Sequence, residues 1–247
     1  MKIILTFLLF VFAANIFSST GDTTLKIDLN FDGKEETIKL LHKDEAQEFT
    51  FRINNAEIKG KFEYAYGSDI QVIDINKNDG LREVIVKGYG NSDQNDMFFY
   101  QYIDGKIIEV GHLPSNFGVD TDGSGTITEH GWMGFWTIKL KYDFDSKKKT
   151  LTKIDEEFYE VNQECEAKNP FKLLSKREDD SPVAVELKKG TKLTVVKADI
   201  TPKCKYADGS DDDFSCDWYL FKTADGKQGW VRLKDFQENV DGLIWAG

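Results

Sequence analysis

Asp69-Ile70-Gln71-Val72-Ile73-Asp74-Ile75-Asn76-Lys77-Asn78-Asp79-Gly80-Leu81-Arg82-Glu83-Val84-Ile85-Val86 reads as two short strands joined by an acidic turn. β-Branched residues dominate both flanks, and the middle holds Asp, Asn and Gly, which favour tight turns. The same grammar occurs upstream, where Leu25-Lys26-Ile27 leads into Asp28-Leu29-Asn30-Phe31-Asp32-Gly33-Lys34-Glu35-Glu36 and out through Thr37-Ile38-Lys39-Leu40. It occurs again downstream, where Phe117-Gly118-Val119 leads into Asp120-Thr121-Asp122-Gly123-Ser124-Gly125-Thr126-Ile127-Thr128-Glu129. Asp28, Asp74 and Asp120 are spaced 46 residues apart, so the unit is a repeat. Further strand patterns lie between the loops, at Glu48–Ile53 and Met97–Tyr102, and Asp104-Gly105 is a tight-turn signal before Lys106–Val110. The expectation is about four strands per repeat, with an acidic hairpin tip in each.

Oxygen-bearing side chains at alternate positions of a tight loop converge on one point. That suits Ca2+, a hard cation taking about 6–8 oxygens at about 2.3–2.6 Å. The first loop offers Asp28, Asn30, Asp32, the Lys34 carbonyl and Glu36. The second offers Asp74, Asn76, Asn78 or Asp79, and Glu83, with one extra residue before Gly80. The third offers Asp120, Asp122, Ser124 and Thr126; Gly131 stands where an EF-hand would place its bidentate Glu, so an EF-hand is not expected. Residues 21–160 carry 27 acidic against 17 basic side chains, a repulsion that a divalent ion would relieve. The competing reading is that Asp, Asn and Gly simply make good solvated turns.

These loops and their flanking strands resemble the FG-GAP or VCBS-type repeats of β-propeller proteins over about residues 25–160, Asp69–Val86 most of all. The resemblance implies a β-propeller-like domain. Three repeats are fewer than the typical 4–8 blades, which leaves an incomplete propeller, a curved sheet or part of an oligomer open.

The texture changes near Val161. Lys189-Gly190-Thr191-Lys192-Leu193 is a turn between two strand patterns, Trp218-Tyr219-Leu220-Phe221-Lys222 is a strand, Ala224–Lys227 is a hairpin turn, and Gln228-Gly229-Trp230-Val231-Arg232 returns. These motifs resemble the bacterial SH3 (SH3b) family over about residues 161–247. The resemblance implies a small SH3-like β-barrel that recognises a cell-wall component or an extracellular peptide. Trp218, Tyr219 and Trp230 are the candidate ligand contacts, because aromatic side chains carry much binding energy. Trp132, Phe135 and Trp136 are explained by burial between sheets.

The chain begins Met1-Lys2 and continues with an apolar run to Ala14, the pattern of a signal peptide within residues 1–20. The run is too short for a comfortable membrane span, and no second one follows. The expected location is therefore secreted, periplasmic or cell-surface, where disulfides persist. Cys204 and Cys216 bracket one polar insertion and are the favoured pair, with Cys165 the alternative partner.

The 247 residues carry a net charge of -11, with 40% hydrophobic and 30% charged residues. A folded chain with no basic surplus argues against nucleic-acid binding. His42, His112 and His130 lack zinc-ligand spacing, and no Gly-x-Ser-x-Gly elbow or phosphate-cradling glycine loop occurs. The reading is an all-β, exported, non-enzymatic binding protein: signal peptide 1–20, β-propeller-like repeats 21–160 stabilised by Ca2+, SH3-like barrel 161–247. The alternatives are a protein-interaction or inhibitor module, and a secreted hydrolase whose carboxylate pair the sequence does not single out.

Overall fold

The computed structural model describes residues 23–43, 46–63, 67–90, 95–115, 118–201, 204–205, 209, 211–212 and 214–245. The segment read as a signal peptide lies outside them, as does Phe117 before the third loop.

The described residues are all-β apart from short helical turns. β1 (Thr23–Ile27), β2 (Glu36–His42), β3 (Glu48–Ile53) and β4 (Ala56–Lys61) form one antiparallel meander. β5 (Gly67–Ile73), β6 (Glu83–Tyr89), β7 (Asn95–Ile103) and β8 (Lys106–Ser115) form a second. β9 (Val119–Thr121), β10 (Thr126–Trp132), β11 (Thr137–Asp145) and β12 (Thr150–Ile154) form a third. Each acidic loop joins the first strand of its meander to the second, so the four-strand repeat and its hairpin tips are as expected. At the β7–β8 turn Asp104 and Gly105 both take positive φ, 50° and 74°, the geometry of a two-residue hairpin.

The three sheets stack face to face. On β6, Val84 and Val86 face the first sheet and join Ile38, Phe51 and Phe62 in one core. Ile85 faces the other way and joins Phe99, Val110, Ile127 and Phe144 in a second. The period of two in a strand makes this possible, and a strand covered on both faces reads as an unbroken apolar run. Gly88 lets the layers close: a Cβ there would stand 2.4 Å from the Phe62 ring.

The rest of the chain builds a seven-stranded sheet in the order β15-β14-β20-β19-β16-β13-β21. Its strands are β13 (Tyr159–Ala167), β14 (Phe171–Leu174), β15 (Val183–Leu187), β16 (Lys192–Asp199), β19 (Trp218–Thr223), β20 (Gln228–Arg232) and β21 (Val240–Asp241). The short hairpin β17 (Cys204–Lys205) and β18 (Asp211–Asp212) lies in the insertion, and the helical turn α1 (Leu233–Phe236) follows β20. β19 and β20 form the expected hairpin. The two strands around Gly190 exist but are not neighbours: β15 pairs with β14, while β16 pairs with β13 and β19. Among the described residues neither the meanders nor this sheet closes into a hydrogen-bonded ring.

Phe135 and Trp136, from the β10–β11 turn of the third meander, are 3% and 2% exposed and belong to the core of the seven-stranded sheet. Trp136 Nε1 donates to Tyr219 Oη at 3.3 Å, and Phe135 packs on Tyr219, Phe236 and Trp245. The burial expected for Phe135 and Trp136 thus joins the stack to the carboxy-terminal sheet, whereas Trp132 is only half-buried and lies outside that core. Cys204 and Cys216 form the disulfide, and Cys165 is buried and free, its thiol pushed up to about 12 by burial. Among the described residues no helix is long and apolar enough to cross a membrane.

Candidate functional site

The three acidic tips lie side by side, tied together by two cations of the second. Arg82 Nη1 donates to the Asp28 carbonyl at 2.6 Å, its backbone N–H donates to the Leu29 carbonyl, and its guanidinium covers the Phe31 ring at 4.2 Å. Lys77 Nζ donates to the Asp122 carbonyl at 2.7 Å, and Asn76 bridges to Ser124 in an antiparallel backbone contact. The first residues of the outer tips thus meet cations of the middle one.

Inside the first tip, Asp28 accepts from the N–H groups of Asn30, Asp32 and Gly33, Asn30 from Asp32, and Asp32 from Lys34. Desolvation opposes the Asp28 charge, but these N–H bonds outweigh it and hold the carboxyl below its ordinary value. Glu36 points inward, 6% exposed, and accepts from Leu29 N at 2.8 Å. Glu83 repeats this in the second tip, accepting from Ile75 N at 2.9 Å and from Gln101 Nε2 at 2.6 Å. Both carboxylates therefore fasten the base of a loop instead of facing its open side.

The second tip is different in one respect. Asp74 Oδ1 and Asp79 Oδ2 are buried atoms without a hydrogen-bond partner. Burial, then Asp79, raises the Asp74 carboxyl. Burial also raises Glu83 despite its two donors. Asn76 Oδ1 accepts from Asn78 N, and Asp79 Oδ1 accepts from Leu81 N. Two unpaired acidic oxygens in one loop are a donor set that a cation fits. Among the described residues no group of three His, Cys, Asp or Glu side chains is assembled for a metal.

The third tip has a different register from the one the spacing suggests. Ile27 pairs with Glu36 and Ile73 with Glu83, and the next residues, Asp28 and Asp74, enter the turns. In the third meander the corresponding position is Asp122, after Thr121, which pairs with Ile127. Asp120 lies in β9 and pairs with His130 at 2.7 Å. Asp122 accepts from Ser124, which lowers its carboxyl, and the Thr126 carbonyl accepts from Thr121 Oγ1.

A second candidate is a groove of 480 Å³ on the carboxy-terminal unit, lined by Phe158, Arg177, Glu178, Asp199, Trp218 and Trp230 among others. Trp230, on β20, stacks on Phe158 at 5.5 Å between centroids and 30° between planes. Two cations flank this pair. Arg177 stands 4.7 Å from the Phe158 ring, and Lys197 Nζ stands 3.6 Å from it. Arg177 is fixed by Asp199 at 2.5 Å and Glu157 at 2.7 Å. Desolvation would raise Asp199, but its bonds from Thr201 and Arg177 hold it below the ordinary value. Trp218 forms a floor, 2% exposed, under the Arg232 guanidinium at 4.3 Å. Arg232 also donates to the Cys216 carbonyl, so the disulfide-bearing insertion abuts this floor.

Of the three aromatics singled out in the sequence, Trp218 and Trp230 meet in this groove. Tyr219 does not: it is 0% exposed and belongs to the core, because neighbours on a strand point to opposite faces. Phe158, Arg177 and Lys197 escaped the sequence reading. Phe158 sits between β12 and β13 outside any alternating pattern, and the two cations show their role only once folding places them beside its ring. No protein-family model matches this chain, and no curated protein matches it either.

Proposed function

We propose that this is an exported, non-enzymatic binding protein whose carboxy-terminal unit, residues 161–247 together with the adjoining Phe158 and the start of β13, is an SH3-like domain. It recognises a cell-wall component or an extracellular peptide through the groove beside Trp230. The observation that carries the reading is the Phe158–Trp230 pair flanked by Arg177 and Lys197. Stacked rings offer an apolar platform to a sugar or side-chain face, and the Lys197 ammonium, which has no carboxylate within ion-pair distance among the described residues, attracts a ligand carboxylate. Sedimentation with purified peptidoglycan is the test. The full chain should cosediment, Trp230→Ala should lose at least about tenfold in affinity, as expected for an aromatic anchor, and its melting temperature should change little. Equal retention of both proteins, or of neither, ends the reading.

The three meanders are the propeller-like, FG-GAP/VCBS-type part of the same proposal, serving as a scaffold stiffened by Ca2+. The second tip is the best-supported site: Asp74 and Asp79, helped by Asn76 and Asn78, would hold the ion, which would engage the one buried oxygen that each carboxylate leaves without a hydrogen-bond partner. An ion bound only by the folded chain stabilises it by mass action.

A further inference from the structure

The outer face of the first meander carries more cations than carboxylates. Alternation along β1 to β4 turns Leu25, Ile38, Leu40, Phe49, Phe51 and Ile58 toward the second sheet. Lys26, Lys39, Arg52, Lys59 and Lys61 take the opposite face, with Glu48 and Glu57 as the only carboxylates of these strands there. Glu57 is held by Arg52 at 2.6 Å. Lys26, Lys39, Lys59 and Lys61 have no ion-pair partner among the described residues. A chain of net charge -11 therefore presents one sheet face with a surplus of positive charge.

The cations run diagonally. Lys26 pairs with Thr37, two residues from Lys39; Lys39 lies directly opposite Arg52; Arg52 pairs with Glu57, two residues before Lys59. Diagonal neighbours across strands are about 7–8 Å apart, the scale of one repeat of a chain polymer. The line ends in a depression of 760 Å³ lined by Leu41, Lys43, Glu48, Thr50, Lys59 and Lys61.

We propose that this face binds a linear polyol-phosphate polymer, laid along the diagonal with one end in the depression. The charge is complementary, and lysines supply point charges suited to repeated phosphates without demanding one orientation. No aromatic side chain lies on the outer face of these strands, and Phe49 and His42, which also line the depression, are only 2% and 8% exposed, so single-stranded nucleic acid would find no open stacking platform. None of the exposed large hydrophobics lies on these strands, so a lipid bilayer would find nothing to insert. This site is separate from the groove beside Trp230 and does not depend on it.

The test uses the full chain and synthetic poly(glycerol phosphate), with affinity measured by calorimetry from low salt to about 0.2 M salt. The wild type should bind at low salt and weaken steeply as salt rises. Replacing Lys26, Lys39, Lys59 and Lys61 by Gln should cost at least about tenfold and flatten the salt slope by about 3. The four Lys→Arg changes should retain binding, which separates charge from folding. Changing the exposed Lys188, Lys189, Lys222 and Lys234 to Gln removes the same charge elsewhere and should leave affinity within about twofold. Trp230→Ala should bind this polymer normally. No binding by the wild type, or equal loss in both Gln variants, overturns the proposal. So does lysine-dependent binding of phosphatidylglycerol vesicles or lysine-dependent self-association without polymer binding.

Discussion

Replacing Trp136 by alanine should destabilise the whole protein, not one part of it. The ring is 2% exposed, belongs to the third meander by sequence, and lies in the core of the seven-stranded sheet. Truncating a buried Trp costs about 3–5 kcal/mol. The Tyr219 hydroxyl, on a fully buried residue, also loses the indole N–H that reaches it at 3.3 Å, and orphaning such a group costs about 1–3 kcal/mol. The terms overlap, so the expected loss is about 5 kcal/mol, a large part of the total stability of a typical protein. For this chain length that corresponds to roughly 10–20 °C in melting temperature. Scanning calorimetry should give one transition for the wild type and a single, lower one for Trp136→Ala. Trp136→Phe, which keeps most of the volume, should lose about 1–2 kcal/mol. A wild type melting in two independent steps, with the upper one unmoved by Trp136→Ala, would refute the shared core.

Three further outcomes follow from the same geometry. Asp74 has a raised carboxyl, so protonation favours the folded state, and its contribution is lost as pH rises above the ordinary value of 3.8 through the raised one. In chelator, urea titrations should therefore show the wild type losing stability relative to Asp74→Asn as pH rises above about 4; added Ca2+ should reverse that order at neutral pH, and a calcium shift of equal size in both proteins would exclude Asp74 as a ligand. Gly88→Ala would place a Cβ 2.4 Å from the Phe62 ring and should cost about 1–3 kcal/mol in chemical denaturation. Replacing Cys204 and Cys216 together by Ser should cost about 3 kcal/mol on the chain-entropy estimate and loosen the Trp218 floor, seen as a change in tryptophan fluorescence.

The repeat was legible because its signals are local. Alternation places strands, and Asp-Asn-Gly clusters place turns, so Glu48–Ile53 coincides with β3 and each acidic loop is a hairpin tip. Side-chain direction at the ends of strands was not legible. Glu36 and Glu83 look like ligands in a linear reading, yet each is the first residue of its strand and turns under the loop to cap it. The even spacing to Asp120 conceals a shift, because the third loop is shorter and its turn begins at Asp122. Sheet order is non-local, so two strands flanking Gly190 read as partners although each pairs elsewhere. The groove draws on the segment before β13, the β14–β15 loop and β20, and no sequence window holds Phe158, Arg177 and Trp230 together.

The most direct measurement of ligand recognition uses the five tryptophan indole N–H signals in a proton–nitrogen spectrum of the full chain, titrated with a soluble cell-wall peptide fragment. Trp230 should move most, with a smaller change at Trp218, while Trp136 and Trp245 stay in place. A titration that leaves Trp230 unmoved, or that shifts only signals remote from Phe158 and Arg177, would contradict the account.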